Sequence, residues 1–291
     1  MSRVAVVTDT THYLPREVVE RHGIDLVPLY VNWQGRTDRE SELGDYEAFY
    51  RHLVTVEGDL PSTSQPSVGD FLRVYEPLIE DGADILSIHL SGGISGTVRS
   101  AEQARDALVE RGVASERIEV LDSTTGCAGH GVMAVAAANA AAGGADLRGA
   151  AAAARALRER MTIMFAVDTL EFLRRGGRIG TAQAWIGSAL KIKPILTIDG
   201  EVAPVERVRT SARAIDRLVQ ELRDKRDAGA DVFFIQHVRA PEVAARVAEA
   251  GREIYGRGPE FVSELGPVIG THTGPGLVGV MGLPSDVLGP V

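Results

Sequence analysis

Short apolar runs alternate with stretches of helical periodicity along almost the whole chain. RVAVVTD is strand-like, and LPREVVERH places a proline at the first turn of the helix that follows. IDLVPLYVNW reads as a further strand. In DYEAFYRHL, Tyr46, Phe49, Tyr50 and Leu53 fall at helical spacing and give that helix an apolar face. SVGDFLRVYEPLIEDG predicts a helix, ADILSIHL a buried strand, GTVRSAEQARDALVERG a helix stopped by glycine, and RIEVLDS the next strand. Residues 129–160 are Ala-rich and predict two helices joined at GGAD.

From MTIMFAVDTLEFLRRGGRIG onward the texture changes to strand, short helix, double glycine and helix. KPILTIDG and EVAPVERV flank an Asp-Gly pair and form the clearest hairpin signal. Helices are expected over Ser211–Asp227 and Pro241–Tyr255, and strands at DVFFIQHV, EFVSEL and LVGVMGL. The expected class is α/β with two α/β domains, residues 1–160 and residues 161–291. Parallel βα units belong to the first and a mixed sheet with a hairpin to the second. The expected ligand site is the interdomain cleft.

Composition narrows the partners. Among 291 residues, 44% hydrophobic and 24% charged, the net charge is -9. A pI near 5.3 argues against nucleic acid or an anionic membrane surface, which are bound by concentrated Lys and Arg. The most apolar window, GVMAVAAANAAAGGA, is too short and too Gly-interrupted to span a bilayer, so no stable membrane insertion is expected. MSRVAVVTDT enters a strand pattern without a basic region or cleavage site, and Cys127 is the single cysteine, so a cytoplasmic protein without internal disulfides is expected. Neither HExxH nor CxxC spacing occurs, and no metal is expected.

Five stretches carry possible chemistry. SGGISGT, residues 91–97, follows a strand and opens a helix. Its GISG is one residue short of a nucleophile elbow, and no lysine precedes Lys191, so it is not a P-loop. It reads as a generic oxyanion site, while Ser95 and Thr97 are equally well explained as helix caps. In PSTSQPS, residues 61–67, a serine cap and a first-turn proline explain Ser64 to Ser67 but not the hydroxyl run before Gln65. In VLDSTTGCAGHG, Cys127 reads as a buried structural thiol in an apolar helix. In DTLEFLRRGGRIG, Arg174 and Arg175 read as an exposed basic turn, whereas Gly176 and Gly177 free Arg178 to reach a cleft. GPVIGTHTGPG, residues 266–276, reads as a tight turn displaying His272, for which a structural role and a ligand or acid/base role both stand. His12, His22, His52, His89, His130 and His237 read as structural. Together these stretches describe an anion-binding site.

Taken in order, TDTTHYLP, TSQPS, SGGISGT, VLDS, LEFLRRGGRIG, LKIKPIL and HTGPG resemble the DegV family, the fatty-acid-binding (FakB-type) subunits of bacterial fatty acid kinase. The least family-like stretch is NWQGRTDRESELGD, residues 32–45. The resemblance implies a two-domain α/β protein that binds one long-chain fatty acid and no other cofactor. A separate ATP-dependent kinase subunit would then convert that ligand to an acyl phosphate for phospholipid synthesis. By motif, Thr63, Ser64 and Ser95, with backbone N–H groups near Gly96, would hold the carboxylate, and His272 would stand beside it. Arg178 and Arg209 would face the kinase partner and the phosphate. The chain itself would be no enzyme and have no catalytic residue. Two alternatives stay open: a serine-dependent acyl or ester hydrolase using Ser95 and His272, and a lipid-responsive carrier or regulator without a kinase.

Overall fold

A computed structural model of the chain describes residues 3–43, 46–55, 61–186 and 192–288. Leu190 and Lys191 of LKIKPIL, and Gly44 and Asp45 at the end of NWQGRTDRESELGD, lie outside the described residues. The elements begin with β1 (Val4–Asp9), α1 (Arg16–His22), β2 (Asp25–Val27), β3 (Tyr30–Trp33), β4 (Arg36–Arg39), α2 (Tyr46–Thr55) and β5 (Ser62–Ser64). They continue through α3 (Val68–Glu80), β6 (Asp84–His89), α4 (Thr97–Glu110), β7 (Ile118–Asp122), α5 (Ala128–Ala142) and α6 (Leu147–Glu159). The remainder comprises β8 (Met164–Ala166), α7 (Glu171–Arg175), β9 (Lys193–Asp199), β10 (Glu201–Val208), α8 (Ser211–Asp227), β11 (Val232–His237), α9 (Pro241–Tyr255), β12 (Val262–Glu264), α10 (Pro267–Thr273) and β13 (Val278–Leu283). Contacts divide the chain into two units, one of residues 1–29, 64–160 and 286–291, the other of residues 30–63 and 161–285.

The first unit is built on a parallel sheet in the order β2-β1-β6-β7. Val7 and Ile85 pack on one face under Phe71 and Tyr75 of α3 and Ala101, Ala104 and Leu108 of α4. Val6, Leu86 and Ile88 alternate to the opposite face and are also buried, as a parallel sheet covered on both sides requires. Ser67 caps α3 reciprocally with Asp70, a capping box. Registers Thr8↔Ile88 and His89↔Asp122 bring the carboxyl ends of β1, β6 and β7 to one edge, where the hydroxyl- and glycine-rich turns emerge.

IDLVPLYVNW does not form one strand. It divides into β2, in the parallel sheet, and β3, in a separate sheet of order β4-β3-β5. Pro28 lies at the break, where it has no N–H to continue a ladder. The small sheet, except for Ser64 at the end of β5, and α2 belong to the second unit, drawn there by contacts of their own. Glu40 Oε1 accepts from Val268 N at 2.6 Å, Tyr50 donates to the Leu265 carbonyl at 3.3 Å, and Arg239 pairs with Glu47. Both units are therefore assembled from more than one stretch of chain.

The main sheet of the second unit runs β10-β9-β8-β13-β11-β12. Only β11–β12 is parallel among these pairs, and the β9–β10 hairpin forms as its Asp-Gly turn predicts. Leu218 and Leu222 of α8 and Val247 and Ala248 of α9 pack on Phe233, Ile235, Val278 and Val280. Three local expectations change. GPVIGTHTGPG is helix α10, started by Pro267 and ended at Gly274 with φ 71°, and its Thr271 and Thr273 hydroxyls bond back to the helix carbonyls of Pro267 and Ile269. Gly180–Trp185 is a 3-10 helix. Cys127 is half-buried at the N-cap of α5 with φ 53°, outside the apolar helix body.

Candidate functional site

Two of the predicted residues meet in the second unit. Thr63 on strand β5 and His272 in the last turn of α10 share a hydrogen bond, Oγ1 to Nε2, of 2.7 Å. Burial, and then the nearby Arg178 guanidinium, lower the His272 pKa to about 4, so the ring is neutral at neutral pH. Its Nδ1 is shielded from solvent and has no hydrogen-bond partner among the described residues. A side chain at position 176 would collide with that nitrogen. Because Gly176 has an ordinary φ of -75°, glycine is needed there for space and not for conformation. Arg178 Nη1 donates to the Gly176 carbonyl at 2.6 Å, so the guanidinium is anchored beside the imidazole. A hydroxyl, a neutral ring with one unengaged nitrogen and an adjacent cation form a set that can hydrogen-bond and balance an anionic group.

Ser64, Ser95 and Gly96 lie in the first unit. Ser95 Oγ bonds Thr97 Oγ1 at 2.8 Å and accepts from Thr97 N at 3.3 Å, while Gly96 is the N-cap of α4. The amide of Gln65 packs where a Gly96 side chain would stand, and Gln65 Nε2 donates to Ser100 Oγ at 3.3 Å. Asp122 of VLDS accepts from Gly92 N at 3.1 Å and Thr124 N at 2.8 Å, bracing the glycine-rich turn. Ser64 is half-buried in β5.

Sequence reasoning missed a heavily engaged charge in the first unit. Asp9, fully buried at the end of β1, accepts from Thr11 N, Leu90 N and His89 Nδ1, each at 3.1 Å, and from the Thr11 hydroxyl. His130 Nε2 lies 3.4 Å from it. Burial alone would raise its pKa, but His130 and His89 hold it well below the usual carboxylate range. His89 continues through Nε2 to Ser87 Oγ at 2.6 Å, which accepts from Tyr75 at 2.6 Å. The available signal was positional: an aspartate closing an apolar strand before two threonines is a cap, here of the 3-10 turn Thr10–His12.

Arg209 lies elsewhere in the second unit, on a cavity of about 580 Å³ that Arg178 does not line. Lys193 and Arg174 on its wall are paired with Asp168 at 2.5 Å and Glu171 at 2.6 Å. Among the described residues, no group of three or more His, Cys, Asp or Glu side chains could hold a metal ion, and no helix is long and apolar enough to cross a membrane.

The DegV family model matches residues 3–285, nearly the whole chain. The chain belongs to the DegV family. A DegV domain-containing protein of Streptomyces coelicolor is 42% identical over 288 residues, covering 97% of this chain and 99% of the relative. Among solved structures, DegV from Bacillus subtilis, a fatty acid binding protein, superposes with a TM-score of 0.85 at 35% identity, covering 97% of this chain and 100% of the other. A DegV family protein from Thermus thermophilus, studied for fatty acid binding, gives a TM-score of 0.84 at 35% identity with 97% and 99% coverage.

Proposed function

We propose that this DegV protein binds one long-chain fatty acid and presents its carboxylate to a separate ATP-dependent kinase subunit, which forms the acyl phosphate. The observation that carries the reading is the Thr63–His272 pair: a neutral imidazole and a hydroxyl, bonded at 2.7 Å, with Nδ1 unengaged. DegV proteins that bind fatty acids share the fold over 97% of this chain. Thr63, Ser64 and Ser95 are assigned to the carboxylate with the N–H groups near Gly96, and His272 orients the Thr63 hydroxyl. Arg178 and Arg209 are assigned to the partner-facing, phosphate-facing side.

The energetics divide the labour. Burying an acyl chain at about 0.8 kcal/mol per methylene yields on the order of 10 kcal/mol, so the chain supplies most of the affinity. Hydrogen bonds to the carboxylate, each worth roughly 1 kcal/mol net and more for a charged acceptor, mainly offset desolvation and set orientation. A hydrolase reading requires a base on Ser95, whereas that hydroxyl is engaged with Thr97. Mass spectrometry of the purified protein, native and then after solvent extraction, tests the binding step. One fatty acid per chain, released on denaturation, is expected; a protein that is empty and takes up no added fatty acid contradicts it. For presentation, His272→Ala is expected to lower phosphorylation by the kinase subunit more than it lowers binding, and equal loss of both argues against it.

A further inference from the structure

Helix α10 begins with a gap in its own capping. Its N-cap is Gly266, which has no side-chain oxygen, and Pro267 follows it, so the first backbone N–H requiring an acceptor is that of Val268. The acceptor comes from far along the chain: Glu40, only 3% exposed, receives that N–H on Oε1 at 2.6 Å. Val268 and His272 are four residues apart, on one face of the helix about 6 Å along its axis. The same segment holds α10 at a second point. Tyr50 packs where a side chain on Gly270 would stand and donates to the Leu265 carbonyl at 3.3 Å. That segment, residues 30–63, also ends in β5 and Thr63, the hydrogen-bond partner of His272.

We infer that Glu40 is a positioning residue: its buried carboxylate caps α10 and sets the height and rotation at which His272 meets Thr63. One stretch of chain thus supplies both the partner of the imidazole and the stop that fixes the imidazole's helix. The role for fatty acid rests on the carboxylate reading of His272, but the mechanical claim does not. Glu40 acts through the backbone, so an acceptor of the same shape should substitute for it, and Glu40→Gln provides one.

The test uses the full chain with Glu40→Ala and Glu40→Gln, read by amide hydrogen exchange and histidine-ring NMR titration, and separately by binding of palmitate and its methyl ester. In Glu40→Ala, exchange protection at Val268 is expected to fall about tenfold, the scale on which helix caps act. The His272 midpoint should move from about 4 toward 6.5 as the ring loses its seat. Palmitate affinity should fall by up to about fivefold, no further than removal of the Thr63 hydroxyl itself would take it, while the methyl ester is unaffected. Glu40→Gln should stay within about threefold of the original chain in both exchange and affinity. A folded Glu40→Ala chain with unchanged His272 titration and Val268 exchange overturns the inference, as does a Gln variant that moves both as far as Ala does. Should Glu40→Ala fail to fold, the unaltered chain still decides: a Val268 amide exchanging as fast as an exposed one contradicts the cap, and a slow one supports it. If the NMR readings follow expectation but neither variant nor parent binds palmitate, the function fails and the positioning stands.

Discussion

His89 and His272 are both shielded imidazoles held at about neutral charge, yet they are served differently. His89 has both ring nitrogens engaged, one with Asp9 and one with Ser87, and burial lowers its pKa against the pull of the aspartate. His272 has one nitrogen on Thr63 and the other unengaged beside a glycine that clears space for it. At His89 the hydrogen-bonding capacity of the ring is consumed inside the fold, whereas His272, like His130 beside Asp9, keeps a ring nitrogen without a partner among the described residues. The Asp9–His89–Ser87 chain thus braces the strand ends of the first unit, and the Thr63–His272 pair of the second is the one proposed above to meet the carboxylate.

The largest test of that contrast is stability. Asp9→Ala strips acceptors from Leu90, Thr11 and His89 at once, and should cost about 4 kcal/mol in denaturant unfolding. His272→Ala should cost less than about 1 kcal/mol. Equal losses would erase the distinction. Acid gives the next largest effect for any single group. His12 and His272 have folded pKa values of about 4 against 6.5 for the free side chain, and His89 is displaced in the same direction. The unfolded chain therefore binds more protons between those values. The corresponding stability is complete above about pH 6.5 and is lost as pH falls through about 4, roughly 3 kcal/mol per fully depressed group. Unfolding at stepped pH checks this, and removing His272 should flatten the slope.

Smaller and more local is Gly176→Ala. Its methyl group meets Nδ1 of His272, so it should displace the ring, destabilise the chain by about 1–3 kcal/mol and raise the His272 midpoint, while leaving the His89 resonances in place. Smallest is Thr63→Val, which keeps the shape and removes the hydroxyl. It should weaken palmitate by about 1 kcal/mol, read by titration, and leave the methyl ester unchanged.

Much of the fold was legible wherever local chemistry set the boundary. Thr210 accepting from Arg213 N starts α8 and a first-turn proline starts α9, and both helices span the residues their caps predict. The β9–β10 hairpin follows from its Asp-Gly turn for the same reason. IDLVPLYVNW was misread because hydrophobicity continues through Pro28 while the ladder cannot. Helix α10 was hidden because Gly270 and its threonines are poor helix formers, and it is held by contacts with Glu40 and Tyr50. Those contacts span more than 200 positions, 228 for Glu40 to Val268, a distance no periodicity encodes. At the site, Thr63 and His272 stood out by residue type and motif. The use of Gly176 did not, because a glycine kept for clearance looks in sequence like one kept for a turn.

The measurement closest to the central claim is a histidine-ring NMR titration of the delipidated chain with palmitate. The account predicts that the His272 nitrogens shift and saturate at one equivalent while those of His89 remain still, because the Thr63 hydroxyl proposed to meet the carboxylate is bonded to His272, whereas the His89 nitrogens are bonded to Asp9 and Ser87 inside the fold. Saturable palmitate binding that leaves His272 unmoved, or that moves His89 instead, would contradict it.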